Sequence, residues 1–172
     1  MSKRFNIILL ILAILGFVGF LFLRNDSVDI SGMFDKKTEK VTKKTYESSD
    51  YKFLFEYEDG FVITSVPLEA GNKIVFELAK PRNGFQITVF PFDELGPLTE
   101  ERIKKDLPDL VVVEAKSVSM AGVETLQFKS IDESVGGTFE VWFVYSGNFY
   151  QIQTYKEFSL ELQEIMKSWQ FK

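Results

Sequence analysis

The distribution of apolar and polar positions divides the 172-residue chain into three stretches. From Phe5 to Leu23 the apolar residues run on with Asn6 as the one strongly polar member. At helical rise such a run spans about 28 Å, close to the hydrocarbon thickness of a bilayer. It has no polar stripe that would mark a water-facing side. The pattern predicts a transmembrane helix over 5–23, behind a short cytoplasmic tail, 1–4. From Arg24 to Asp50 the pattern dissolves into Lys, Asp, Glu, Ser and Thr, and the scattered Val28, Ile30, Met33, Phe34 and Val41 fit no period. That composition predicts a charged flexible linker over 24–50, with an r.m.s. span of about 26–31 Å. From Tyr51 onward, short alternating runs predict a globular domain over 51–172.

Within that domain the alternation is mostly of period two. Tyr51, Phe53, Phe55 and Tyr57 alternate with Lys52, Leu54 and Glu56, and Glu58-Asp59-Gly60 supplies a turn. Phe61 to Val66 is a second extended run, which Pro67 is expected to end. Ile74, Phe76 and Leu78, then Phe85, Ile87 and Val89, mark two more strands around Pro81-Arg82-Asn83-Gly84. Leu110 to Val118 and Val123 to Ser130 read as a pair around Met120-Ala121-Gly122. Phe139 to Tyr145 and Phe149 to Tyr155 form a hairpin through Ser146-Gly147-Asn148.

Two segments change to helical spacing. Thr99 is a good N-cap, Glu100 and Glu101 suit the first turn, Ile103 and Leu107 share a face, and Pro108 stops the helix. Near the C-terminus Phe158, Leu162, Ile165, Met166 and Trp169 make an apolar stripe opposite Glu161, Glu164 and Lys167. The run from Phe139 to Tyr145 is apolar on one face and carries Trp142 and Val144 beside Glu140 on the other, so both faces should be covered. The expected fold is α+β, a mostly antiparallel sheet with helices on both faces.

Composition narrows the chemistry. The chain has no cysteine and no histidine, which removes disulfides, thiol nucleophiles, lipoprotein acylation, histidine-based acid–base catalysis and zinc sites. The net charge is −5; beyond Lys3 and Arg4 the chain holds 18 basic and 25 acidic residues, which argues against nucleic acid as a partner. The apolar run is too long for the core of a cleaved signal peptide, and Phe22-Leu23-Arg24-Asn25-Asp26 offers no small-x-small cleavage site. A type IV pilin start is absent too, since Arg4 precedes Phe5 and Leu9 stands where a glutamate belongs. Lys3 and Arg4 abut the helix on its short side, which favours a cytoplasmic N-terminus and a domain outside the cytoplasm.

The domain resembles a known family. Tyr51-Lys52-Phe53-Leu54-Phe55-Glu56-Tyr57-Glu58-Asp59-Gly60-Phe61 is similar to the opening of PsbP-like domains, with Glu58 standing where that pattern has proline. Gly122 to Phe128, the aromatic hairpin Val141 to Ile152 and the closing Ser168-Trp169-Gln170-Phe171 fit the same family. The resemblance implies an α/β/α sandwich and a non-catalytic habit. It carries no metal, cofactor or partner residues over.

Candidate chemistry in the residues themselves is sparse. The acidic pairs Glu58-Asp59, Glu100-Glu101 and Asp132-Glu133 are the material for a carboxylate-dependent hydrolase, and Asp132-Glu133 for a weak calcium site. Gly136-Gly137 lacks the lysine of a phosphate loop. Lys129 and Ser130, as neighbours on a strand, should point to opposite faces. Phe90, Phe92, Phe149 and Tyr150, near strand ends, are a candidate partner surface. The expectation is a single-pass, membrane-anchored extracytoplasmic protein binding a protein or cell-envelope partner without cofactor or metal. The alternatives are the hydrolase and a subunit of an envelope or pilus-like assembly; the latter would need a long helix running from membrane into domain.

Overall fold

Alternation of large apolar and polar side chains builds more than half of the described backbone into strands. The computed structural model describes residues 42–80, 82–94, 97–132 and 136–172. The expected tail, transmembrane helix and all but the last part of the expected linker lie outside the described residues. Among the described residues no helix is long and apolar enough to cross a membrane.

Among the described residues ten strands fall into two sheets. The larger has seven, in order β3 (Val62–Leu68), β4 (Gly71–Glu77), β5 (Gly84–Pro91), β9 (Asn148–Tyr155), β8 (Gly136–Tyr145), β7 (Val123–Asp132) and β6 (Val113–Met120). Every neighbouring pair is antiparallel. The smaller sheet orders β1 (Lys43–Ser48), β2 (Phe53–Glu58) and β10 (Gln170–Phe171), also antiparallel. The helices are few: α1 (Glu100–Asp106), a 3-10 turn at Lys156–Phe158, and α2 (Ser159–Met166). Thr99 caps α1, its Oγ1 accepting from the Arg102 N–H at 3.2 Å.

The core lies on one face of the large sheet. Phe85, Ile87, Val89, Val141, Phe143, Tyr150 and Ile152 rise from it and meet Phe53, Phe55 and Tyr57 of β2 with Leu162, Ile165 and Met166 of α2. Trp169 closes the layer by stacking on Phe53, with ring centroids 4.4 Å apart, and Phe76 stacks on Phe85 at 4.5 Å. Aromatic pairs in this geometry add to what their buried area contributes.

Three expectations change. The expected linker runs to Asp50, but Lys43–Ser48 is a strand, and the compact unit begins at Lys43. The reason is pairing: β2 needs a neighbour, and Tyr46 lies on Phe55 with ring centroids 5.5 Å apart, although the rest of the strand is polar. Pro67 does not end β3 but sits inside it, two residues from the turn, which an edge strand tolerates. As for helices on both faces, α2 covers the core face together with the small sheet. The seven-residue α1 is tied to the segment before it, Arg102 pairing with Glu94 and lying over the Phe92 ring at 5.4 Å.

Candidate functional site

The face of the large sheet opposite the aromatic core is different in kind. Alternation puts Gln86 and Thr88 of β5, Gln151 and Gln153 of β9, and Thr138, Glu140 and Trp142 of β8 on this side. Register aligns them in two rows across the three central strands, Gln86–Gln153–Glu140 and Thr88–Gln151–Trp142. All seven are buried.

Glu140 is the centre of this patch, with 2% of its surface exposed. Its Oε1 accepts from Thr138 Oγ1 at 2.9 Å and from Gln153 Nε2 at 2.7 Å, and its Oε2 accepts from Trp142 Nε1 at 3.0 Å. Gln86 Nε2 in turn donates to Gln153 Oε1 at 2.6 Å. Burial pushes the Glu140 carboxyl up to about 7, against the pull of the donors around it, Trp142 first. The Gln151 amide also favours the charged form, although its Nε2 closes no hydrogen bond of normal geometry; Gln86 Oε1 is likewise buried and unpartnered. Neutral donors offset only part of the lost hydration of a carboxylate, so the acid titrates near neutrality.

A carboxyl with such a value is the kind of group an acid–base enzyme uses. Here it has neither exposure nor a second acid. The expected pairs do not converge: Glu58 is exposed at the end of β2, Asp59 pairs with Lys44 at 2.6 Å, and Glu100 pairs with Lys104 four residues on. The Lys44 ammonium and the Gly60 N–H hold Asp59 below the usual carboxylate range. Glu101 is lowered as well, by hydrogen bonds at the start of α1. Glu133 lies outside the described residues. Among the described residues no three acidic side chains gather to hold a metal. Lys129 and Ser130 do point apart: Ser130 is buried, and Lys129 is exposed and paired with Glu114.

The four aromatics expected to form a partner surface are not brought together on one. Phe149 and Tyr150 are neighbours on β9 and therefore face opposite sides of the sheet, Tyr150 in the aromatic core and Phe149 against Trp142 at 5.4 Å. Phe90 is also buried. Only Phe92 is partly exposed, its ring 5.8 Å from Phe149. The surplus of aromatics fills two layers. The glutamine and glutamate rows were missed because polar residues at period two normally mark a solvated face. The available signal was that Trp142 and Val144 share that face with Glu140.

This architecture, a large antiparallel sheet with an aromatic face under a C-terminal helix and a small sheet, is the PsbP-like fold. The solution structure of cyanobacterial PsbP (CyanoP) from Synechocystis sp. PCC 6803 matches it with a TM-score of 0.57. The match covers 86% of this chain and 99% of that one at 12% sequence identity, a likeness of fold. No protein-family model and no curated protein sequence matches the chain.

Proposed function

We propose that this chain is a single-pass, membrane-anchored protein whose PsbP-like domain lies outside the cytoplasm and binds a protein or cell-envelope partner without catalysis. The observation that carries the non-catalytic part is the separation of the acids. Among the described residues the one carboxyl pushed up to about 7 is sealed among glutamines and an indole, and Glu58-Asp59 and Glu100-Glu101 sit on separate elements. Hydrolysis by carboxylates requires two of them across one bond. The anchor is supported by the apolar run Phe5–Leu23, and the orientation by Lys3 and Arg4 before it. Confinement at a membrane raises the effective concentration of a partner there, so that a weak interface is occupied.

The test is extraction and topology of the full chain in its own cells. Membranes washed in alkaline carbonate should retain it. A C-terminal phosphatase fusion, active only outside, should be active, and a fluorescent fusion that matures only inside should be dark. Recovery in the soluble fraction would refute the anchor, and the opposite reporter pattern the orientation. Crosslinking in those membranes, followed by identification of the captured partner, tests the binding role. Turnover of any substrate lost on a single Asp or Glu replacement would refute the absence of catalysis.

A further inference from the structure

The two edges of the seven-stranded sheet are built differently. At β6 the register breaks between Val113 and Lys116, Glu114 takes a positive φ of 54°, and Glu114 pairs with Lys129. A break in register and charges are the devices by which proteins keep an edge strand from pairing with another chain. β3 has neither. From Phe61 to Leu68 no side chain is charged, and β3 is exposed from Val62 through Pro67, Val62 at 66% and Val66 at 40%.

The outward hydrogen-bonding groups of β3 can be assigned. Its turn to β4 has two residues, Glu69 and Ala70, so Leu68 and Gly71 pair across it and exchange both ladder bonds. Alternation then turns Val66, Thr64 and Val62 toward β4, and Pro67, Ser65 and Ile63 outward. Pro67 agrees, because a residue without an N–H fits a strand only where that position faces away from the neighbour.

We propose that β3 is the seam of a homodimer, two copies pairing antiparallel about Thr64 to make one continuous sheet. In that register Ile63 of each copy exchanges both backbone bonds with Ser65 of the other. Thr64 meets its own counterpart, and Val62 meets Val66, all on one face. The strand is therefore self-complementary, as a two-fold interface requires. A shift of two residues either way sets valine against threonine, and in one direction it asks Pro67 for a donor it lacks. Charge supports the same alignment. Glu77 lies beside Val62 and Lys73 beside Val66 on that face, so antiparallel pairing sets the acidic end of one copy toward the basic end of the other. Parallel pairing would set like against like. The seam is independent of the anchoring proposed above.

Since the chain has no native cysteine, single cysteines report the contact directly. Thr64→Cys in the full chain, in its own membranes under a mild oxidant, should give a disulfide-linked species of twice the 19.8 kDa chain mass. Directly opposed residues that do not exchange hydrogen bonds have Cα atoms about 4.5 Å apart, within the reach of a disulfide. The comparison is Leu160→Cys, at 74% the most exposed large apolar residue among the described residues. Thr64→Cys should crosslink at least ~10-fold faster, and adding Val62→Lys with Val66→Lys should bring it down to the Leu160→Cys rate. Equal rates at the two cysteines, a product joined to a different protein, or crosslinking indifferent to the lysines would each overturn the seam. The comparison of the two cysteines decides even where the lysine pair disturbs the strand.

Discussion

Replacing Glu140 by glutamine should remove a pH dependence of stability that the wild-type domain displays. The Glu140 carboxyl lies at about 7 when folded, against an ordinary value of 4.5. Each unit is worth about 1.4 kcal/mol, so the protonated form is favoured in the folded state by about 3 kcal/mol. Because the folded value is the raised one, the folded protein holds the proton more tightly between these limits. The stabilisation is complete below about pH 4.5, falls as pH rises, and is nearly gone above about pH 7. From pH 5 to pH 8 the loss is about 2–3 kcal/mol, which lowers a urea midpoint by roughly 1–3 M at the usual slopes. The chain contains no histidine, the usual source of titration in that interval. Asp59 and Glu101, whose values are lowered, contribute in the opposite sense and lose their contribution only on acidification, below this window. Urea titrations of the full chain in a nonionic detergent, followed by the fluorescence of Trp142 and Trp169, measure the effect. Wild type should weaken steadily from pH 5 to pH 8, and Glu140→Gln should be flat. A wild-type stability that rises with pH, or a fall that survives in Glu140→Gln, refutes the assignment of the proton to this carboxyl.

Trp169→Ala, which removes the ring stacked on Phe53 and Phe55, should cost about 3–5 kcal/mol in the same urea assay at fixed pH. At Gly71 an added Cβ would lie 2.1 Å from the Val89 carbonyl oxygen at a φ of 140°, so Gly71→Ala should displace β4 from β5 and destabilise strongly. Gly122→Ala meets open space and pays only for its φ of 81°, about 1–2 kcal/mol; equal effects at the two sites would contradict the close approach at Gly71. A chain beginning at Lys43 should fold cooperatively, whereas one beginning at Tyr51, which strips β1 and Tyr46 from β2, should unfold at clearly lower urea or aggregate.

Strands β2, β5 and β9 were readable because each alternates large apolar residues with polar ones, β8 because it is a β-branched and aromatic run apolar on both faces around Glu140, and α2 because its stripe recurs at three and four. β1 was not, because only Tyr46 in it contacts the core rings; the strand exists through its pairing with β2, and no local pattern carries that. β10 is two residues long. The order of strands was also hidden: β9 lies between β5 and β8, so Gln86 and Gln153, 67 positions apart, share one row. Periodicity says which residues share a face and nothing about what covers that face. Phe90 and Phe149 accordingly looked like surplus surface aromatics, when both are buried. Whether candidate acids converge is a matter of tertiary structure: of Glu58-Asp59 the second pairs with Lys44, and of Glu100-Glu101 the first pairs with Lys104.

The two faces of the large sheet place unequal demands on sequence. The aromatic face requires only large apolar residues at alternate positions, and cores accept many such residues if volume and pattern are kept. A fold shared with CyanoP at 12% identity is consistent with that tolerance. The polar rows obey a stricter rule. Glu140 receives three hydrogen bonds, each worth about 1.5–3 kcal/mol to a charged group, yet its carboxyl is still pushed upward. Desolvation therefore outweighs the donors around the carboxylate, and removing one donor leaves the carboxylate worse off. Gln153 is the donor with most to lose: it accepts from Gln86 as well as donating to Glu140, so an apolar replacement there leaves Gln86 Nε2 without its acceptor and takes one of the three donors from Glu140. Nothing in the aromatic architecture requires this arrangement. A likeness of fold therefore carries no information about the proton at Glu140, and the property belongs to the side chains of β5, β8 and β9 in this chain.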